Sequence, residues 1–338
     1  MNQPELKQQL QHKIDNLTKP PGSLGMIEQL AAQIGMIQNT TEPKVDKPQA
    51  FVFGADHGVC AEGVTAFPQI VTEQMLANFA AGGAAMSVFC KTNAIPLKII
   101  NMGIVNEQAR WENVQHSAIA PGTKNFRHEA AMTEQQCLDA IAVGENEAKQ
   151  AVANGANLLI VGEMGIGNSS SSSALLSALH GLSATATVGA GAGSTTGQQS
   201  LKIEAIDQAL ARCKGKTPLA ILAEVGGFEI AAMAGVMLQA RSLNVPVMID
   251  GFIAGAAALF AEAHQPGSKD YWIFSHSSAE QAHVKMLAIL EATPLLQLNL
   301  RLGEGSGSAL AYPLVKCAAA MINDMASFES AGVAPNDA

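Results

Sequence analysis

Leu158-Leu159-Ile160-Val161-Gly162-Glu163-Met164-Gly165-Ile166-Gly167-Asn168, followed by five serines at 169–173, decides the fold. A short, continuously apolar run passes into a glycine-rich turn and then into the start of a helical pattern. The same succession recurs along the chain. Residues 50–53 run into Gly54-Ala55-Asp56-His57-Gly58, 97–101 into Met102-Gly103, and 219–223 into Glu224-Val225-Gly226-Gly227. Residues 247–249 run into Asp250-Gly251, 271–274 into Ser275-His276-Ser277, and 298–302 into Gly303-Glu304-Gly305. Apolar strands alternating with helices predict a parallel sheet covered on both faces. Ligands of such sheets bind beyond the carboxyl ends of the strands. Those ends carry Asp56, Glu163, Glu224, Asp250 and Glu304, so sequence order predicts a cleft lined with acids.

Two regions stand outside the alternation. Residues 5–17 and 24–38 are predicted helical, with Leu24, Ile27, Leu30, Ala31 and Ile34 at helix spacing and Thr18-Lys19-Pro20-Pro21-Gly22-Ser23 as the turn between them. Residues 310–328 predict a helix apolar on nearly every side, with Pro313 in its first turn, which must therefore be buried. The tail beyond Phe328 is polar and expected to fray.

Composition bounds the function. The 338 residues are 48% hydrophobic and only 14% charged, so much of the chain must be buried. A net charge of −9 and 4% aromatic residues give neither the basic patch nor the stacking platform that nucleic-acid binding needs. Cys60, Cys90, Cys137, Cys213 and Cys317 are scattered and odd in number, which predicts free thiols in the cytoplasm. Residues 1–17 lack the apolar centre of a signal peptide, and no apolar run reaches the length of a membrane span.

Three stretches carry candidate chemistry. At 162–173, backbone amides and serine hydroxyls opening a helix favour a phosphate, with Glu163 more suited to a ribose hydroxyl or a cationic ring; capping serines in a tight turn are the alternative. At 66–75, Phe67, Gln74 and Met75 suit a flat heteroaromatic ring, and Gly82-Gly83 inside the same helix suggests close packing or a nearby ligand; an ordinary core helix is the alternative. At 301–308, a glutamate among three glycines is either a general base or a carboxylate bonded to loop amides, while Arg301 is either an anion clamp or a surface ion pair. Asp56-His57 and Ser275-His276 invite a metal or triad reading, but no H-E-x-x-H or G-x-S-x-G accompanies them.

Taken together, Lys19-Pro-Pro-Gly-Ser-Leu-Gly25, Ala55-Asp-His-Gly-Val59, Pro68-Gln69 with Val71-Thr-x-Gln-Met75, Asn78-Phe79 with Gly82-Gly-Ala84, Gly162 to Asn168, Gly226-Gly-Phe-Glu-Ile230, Asp250-Gly-Phe252 and Arg301 to Gly307 occur in an order that resembles the nicotinate-nucleotide:5,6-dimethylbenzimidazole phosphoribosyltransferases. The resemblance runs from Lys19 to Phe328. It implies a three-layer, Rossmann-like α/β domain at 41–308, with a small helical domain made from 1–40 and 309–338. It implies transfer of the phosphoribosyl group of nicotinate mononucleotide to 5,6-dimethylbenzimidazole with inversion at C1′, giving α-ribazole phosphate for the lower ligand of cobalamin. Neither metal nor cofactor is implied, and the family is homodimeric. Glu304 matches the family's base. Glu163, Gly165, Ile166, Gly167, Asn168, Lys202, Arg301 and Gly303 match its nucleotide and phosphate contacts, and Phe67, Gln74, Met75 and Leu302 its acceptor pocket. The chain departs from the family in a charge-poor 188–196 segment and in its serine-rich 169–173 run. A relative that uses adenine or a phenolic acceptor would share every nucleotide motif.

Overall fold

The structure, a computed structural model, describes residues 2–189 and 193–334. Part of the charge-poor segment, 190–192, lies outside the described residues. Two helices open the chain, α1 (Gln3–Asp15) and α2 (Met26–Gln38), as the spacing predicts. They are followed by β1 (Pro48–Ala55), α3 (Ile70–Ala80), α4 (Ala85–Thr92), β2 (Leu97–Gly103), β3 (Val114–His116) and α5 (Glu134–Ala153). Next come β4 (Leu158–Met164), α6 (Asn168–His180), α7 (Ala184–Thr187), α8 (Thr196–Cys213), α9 (Pro218–Val225) and α10 (Phe228–Leu243). The last third holds β5 (Val247–Ile249), α11 (Phe252–His264), β6 (Trp272–Phe274), α12 (Gln281–Ile289), α13 (Ser306–Asp324) and α14 (Phe328–Ala331).

The six strands form one parallel sheet in the order β3-β2-β1-β4-β5-β6. This is the doubly wound order, in which the chain leaves β1 toward one edge and returns at β4 toward the other. Alternate residues of each strand enter two separate apolar clusters. Phe51, Phe53, Leu159, Val161, Val247 and Ile249 face α5, α6, α10 and α11. Ala50, Val52, Leu158, Ile160, Met248 and Ile273 share a cluster with Leu6, Leu10 and Ile14 of α1, Leu30 and Ile34 of α2, and Val315 and Ile322 of α13. The three-layer architecture therefore follows from strands that are apolar on both faces. The chain ends are joined directly: Leu17 bridges Ser327, and the amides of Thr18 and Phe328 donate to Ala326 and Asn16.

Several expectations are corrected. Residues 219–223 are not a strand but the body of α9, because Thr217 caps its first turn through the Ala220 amide and Pro218 is pre-set for a helix start. A short apolar run cannot distinguish the two states by itself. Residues 298–302 are irregular backbone beside the end of β6, with the Ala279 amide donating to Leu300. Gly82-Gly83 does not sit inside a helix: α3 ends at Ala80 and Gly82 turns the chain at φ +80°. The expected 310–328 helix begins at Ser306, so Pro313 lies beyond its first turn. It is also two-sided, burying Ala311, Val315, Ala318 and Ile322 while Lys316, Cys317, Ala320 and Asn323 face outward. Past Phe328 the chain forms the short α14, capped by Ser327 through the Ser330 amide, before the undescribed last four residues.

Candidate active site

A cavity of about 430 Å³ opens at the carboxyl edge of the sheet, where β4, β5 and β6 end. Its floor is made by the turns 162–169 and 301–305. Residues 64–67 with Val71 and Met75 make one wall, and 250–254 with His276, Ser278 and Glu280 make the other. Of the five acids expected at strand ends, Glu163, Asp250 and Glu304 line this cavity and two do not. Asp56 is turned away, its Oδ2 accepting from the Val105 amide at 2.8 Å. Glu224 belongs to α9 and is held by Arg212 and Lys216.

The two floor turns are locked together by contacts that only glycine permits. A Cβ on Gly162 would stand 2.0 Å from the Glu304 carbonyl oxygen, and one on Gly303 would stand 2.5 Å from Glu163 Oε1. Backbone thus lies on backbone, and the two glutamates arise within one small volume. Glu163 Oε1 accepts from the Glu304 amide at 3.1 Å, and its Oε2 accepts from the Asn168 side chain. Glu304 sits at φ +66°, only 7% exposed, and its Oε2 has no hydrogen-bond partner among the described residues.

Burial pushes both carboxyls up to about 7. For Glu163 the Glu304 amide and Asn168 pull the other way, while the charges of Glu229 and Asp250 add to the rise. For Glu304 the Met86 amide opposes burial and Asp250 reinforces it. Each is therefore poised to exchange a proton near neutrality. Asp250 accepts from the Gly305 and Ser308 amides at 3.0 and 3.1 Å, and His276 Nε2 lies 3.4 Å from its Oδ1.

The remaining sequence candidates divide clearly. Phe67, Met75, Gly165, Ile166, Gly167, Asn168, Lys202, Arg301, Leu302 and Gly303 all line the cavity. Gln74 does not: it is exposed on α3, one residue before Met75. Lys202 is 3% exposed and donates to Ser169 Oγ at 3.1 Å. Burial lowers its ammonium, against the attraction of Glu280. Of the serine run, only Ser169 reaches the cavity. Ser170 to Ser173 are buried where other elements cover α6 on several sides; Ser171 meets His57 and Ser173 donates to the Thr187 carbonyl. Small polar side chains here serve helix packing, so the expectation of a hydroxyl-lined phosphate loop is reduced to one residue.

His57 is also structural. Burial alone would lower it, but Glu229 at 2.6 Å raises it, and the pair is sealed beneath the Gly165–Gly167 turn. No group of three potential metal ligands occurs among the described residues. Sequence reasoning passed over His276, Ser278 and Phe252 as cavity residues. His276 had a signal, since it lies two residues past the short apolar run 271–274. Phe252 closes the Asp250-Gly-Phe252 motif, and Ser278 had no signal.

The fold and the site define an α/β enzyme whose small-molecule cavity, at the edge of a doubly wound sheet, is equipped with two proton-exchanging carboxyls and a buried ammonium. Residues 1–333 match the family model described as phosphoribosyltransferase. A nicotinate-nucleotide–dimethylbenzimidazole phosphoribosyltransferase of Vibrio vulnificus (strain CMCP6) is 48% identical over 334 residues, covering 96% of this chain and 97% of the relative. One of the same name from Aromatoleum aromaticum is 46% identical, covering 98% and 96%. The crystal structure of CobT from Thermus thermophilus superposes with a TM-score of 0.95 at 40% identity, over 98% of this chain and all of that one. The chain belongs to this phosphoribosyltransferase family.

Proposed function

We propose that the enzyme moves the phosphoribosyl group of nicotinate mononucleotide to 5,6-dimethylbenzimidazole, with Glu304 as the base. The observation that carries the assignment of the base is the bare Oε2 of Glu304. Glu163 spends both its oxygens on neighbouring N–H donors, whereas Glu304, which also lines the cavity, keeps one buried oxygen without a partner among the described residues. A buried acceptor without a donor is costly unless a substrate supplies one. A benzimidazole N–H supplies that donor.

In this reaction Glu304 takes the ring N–H proton. The electron pair released into the ring lets the other nitrogen attack C1′ of the mononucleotide from the face opposite nicotinate. As that C–N bond forms, the bond from C1′ to the pyridinium nitrogen breaks, and its electrons neutralise the cationic ring. Nicotinate leaves, and the β-linkage becomes α. Two flat rings must flank one sugar, so the gain comes mainly from holding them in line. Glu163 and the Gly165–Asn168 turn receive the ribose, and Lys202 with Arg301 receives the phosphate, where a buried ammonium gains most from a fixed anion. Phe67, Met75 and Leu302 enclose the acceptor ring with apolar surface.

We also propose that residues 1–40 and 309–338 act as one small helical unit, that the protein is a cytoplasmic homodimer, and that Phe67, Ile70 and Leu302, about half exposed at or near the cavity mouth, are covered in that dimer. No helix among the described residues is long and apolar enough to cross a membrane. The reaction is tested by incubating nicotinate mononucleotide with 5,6-dimethylbenzimidazole, adenine and a phenol in parallel. Nicotinate release with the benzimidazole as the preferred acceptor is expected; preference for either other acceptor would overturn the assignment.

A further inference from the structure

Glu304 holds a backbone conformation, φ +66°, that L residues seldom adopt outside single turn positions. Its two glycine neighbours are also left-handed, Gly303 at +87° and Gly305 at +89°, and the turn is closed by the Ser306 amide and hydroxyl, which both donate to the Gly303 carbonyl. Groups from two other strands fix its orientation, and one of them is Glu163, which accepts from the Glu304 amide. Asp250 is the other. The Gly305 amide donates to Asp250 Oδ2 at 3.0 Å and the Ser308 amide to Asp250 Oδ1 at 3.1 Å, so one carboxylate spans the turn and the first turn of α13. The residue at the cap position of α13 is Gly305, which has no side chain to offer these amides. Asp250, from the end of a different strand, caps the helix in its place.

Asp250 is in turn fixed. It is 2% exposed, and His276 Nε2 lies 3.4 Å from its Oδ1. The imidazole is wedged against the start of α13, since a Cβ on Gly307 would stand 2.1 Å from His276 Cδ2. The ends of β5 and β6 thus reach across the cavity edge to grip the segment that carries the base.

We propose that Asp250, steadied by His276, is a positioning residue that holds the 303–308 turn in the conformation that sets the Glu304 carboxylate at the cavity. This rests on Glu304 being the base. It predicts a particular pattern of coupling: removing Asp250 harms turnover only while Glu304 is there to be aimed.

The test is a double-mutant cycle of Asp250→Ala with Glu304→Gln, reading turnover of nicotinate mononucleotide and its dissociation constant by calorimetry. Asp250→Ala is expected to lower kcat roughly 100-fold while changing nucleotide affinity less than about 3-fold. Asp250→Asn, which keeps one carbonyl acceptor for the amides, is expected to recover about a tenth to a third of the lost rate. On a Glu304→Gln background, Asp250→Ala is expected to cost less than about 3-fold further. A full 100-fold loss on that background would overturn the proposal, because Asp250 would then act independently of the base. So would a loss of nucleotide affinity matching the loss of kcat. If Asp250→Ala does not fold, His276→Asn replaces it in the same cycle, with a roughly 10-fold loss expected and the same coupling required. Unchanged turnover of Glu304→Gln alone refutes the base assignment, and that result is read from the single variant, separately from the cycle.

Discussion

Glu163 and Glu304 lie within one cavity floor and are both raised to about 7 by burial, yet they are built in opposite ways. Glu163 lies at the end of a regular strand, and both its oxygens accept hydrogen bonds. Glu304 lies in left-handed backbone, and one of its oxygens has no partner among the described residues. A raised proton affinity therefore does not separate them. Hydrogen-bond satisfaction does, because a carboxylate occupied by fixed donors organises its surroundings, while an unoccupied one is free to take a proton from a ligand. Positive φ and a bare buried acceptor both cost stability, and such costs gather where chemistry requires a set geometry.

The strongest way to break the comparison is to neutralise each acid in turn. Glu304→Gln is expected to lower kcat about 1000-fold, within the range for removing a general base, with nucleotide affinity nearly unchanged. Glu163→Gln is expected to cost about 10- to 30-fold and to weaken the nucleotide as well, since the amide keeps one acceptor but misplaces a donor. Steady-state kinetics with calorimetric binding of nicotinate mononucleotide would show both; the opposite ranking would make Glu163 the base.

A second strike goes at the contact between the turns. Gly162→Ala forces a methyl against the Glu304 carbonyl, 2.0 Å from the ideal Cβ position, and neither partner is a flexible side chain. A loss of about 3 kcal/mol in urea unfolding is expected, at the top of the usual range for overpacking, together with a fall in kcat. A stable and active Gly162→Ala protein would show that the turns are not locked together.

How much of this was legible follows from the kind of signal each residue leaves. The run 158–168 predicted strand, turn and helix start, because apolar continuity and glycine punctuation are local properties. Glu163, Asp250 and Glu304 were placed in one cleft because parallel strands send all their carboxyl ends to one side. The same logic misplaced Glu224, since residues 219–223 are as apolar as a strand but begin with a Thr-Pro helix start. It could not show that Ser170 to Ser173 are all buried, because whether a helix is covered on several sides depends on neighbours distant in sequence. Nor could it rank Glu163 against Glu304. That difference rests on the amide of residue 304 meeting the carboxylate of residue 163, a contact set by tertiary packing alone.

The pH dependence sharpens the comparison further. Turnover should rise with pH through about 7, as Glu304 gives up the proton that blocks it. A profile whose acid limb lies near the ordinary glutamate value of 4.5 would contradict the burial of this carboxyl.

The smallest expected effect is on folding, and its sign is the informative part. An acid whose folded pKa lies above its unfolded value binds more protons in the native state, so its contribution to stability falls as pH rises between the two. For Glu304 that window runs from 4.5 to about 7, and above it the native protein carries the full cost of a buried charge. Glu304→Gln removes that cost. Because the carboxyl is partly open to the cavity, the gain is discounted to about 1–2 kcal/mol near pH 8, shrinking toward zero near pH 4.5. Urea unfolding of the substrate-free protein and the variant at several pH values checks this. A variant nearly dead in catalysis yet more stable than its parent at alkaline pH is what a base held ready at the expense of the fold predicts. A difference independent of pH would mean instead that Glu304 carries no raised proton affinity, and the two glutamates would then differ in proton affinity as well as in hydrogen bonding.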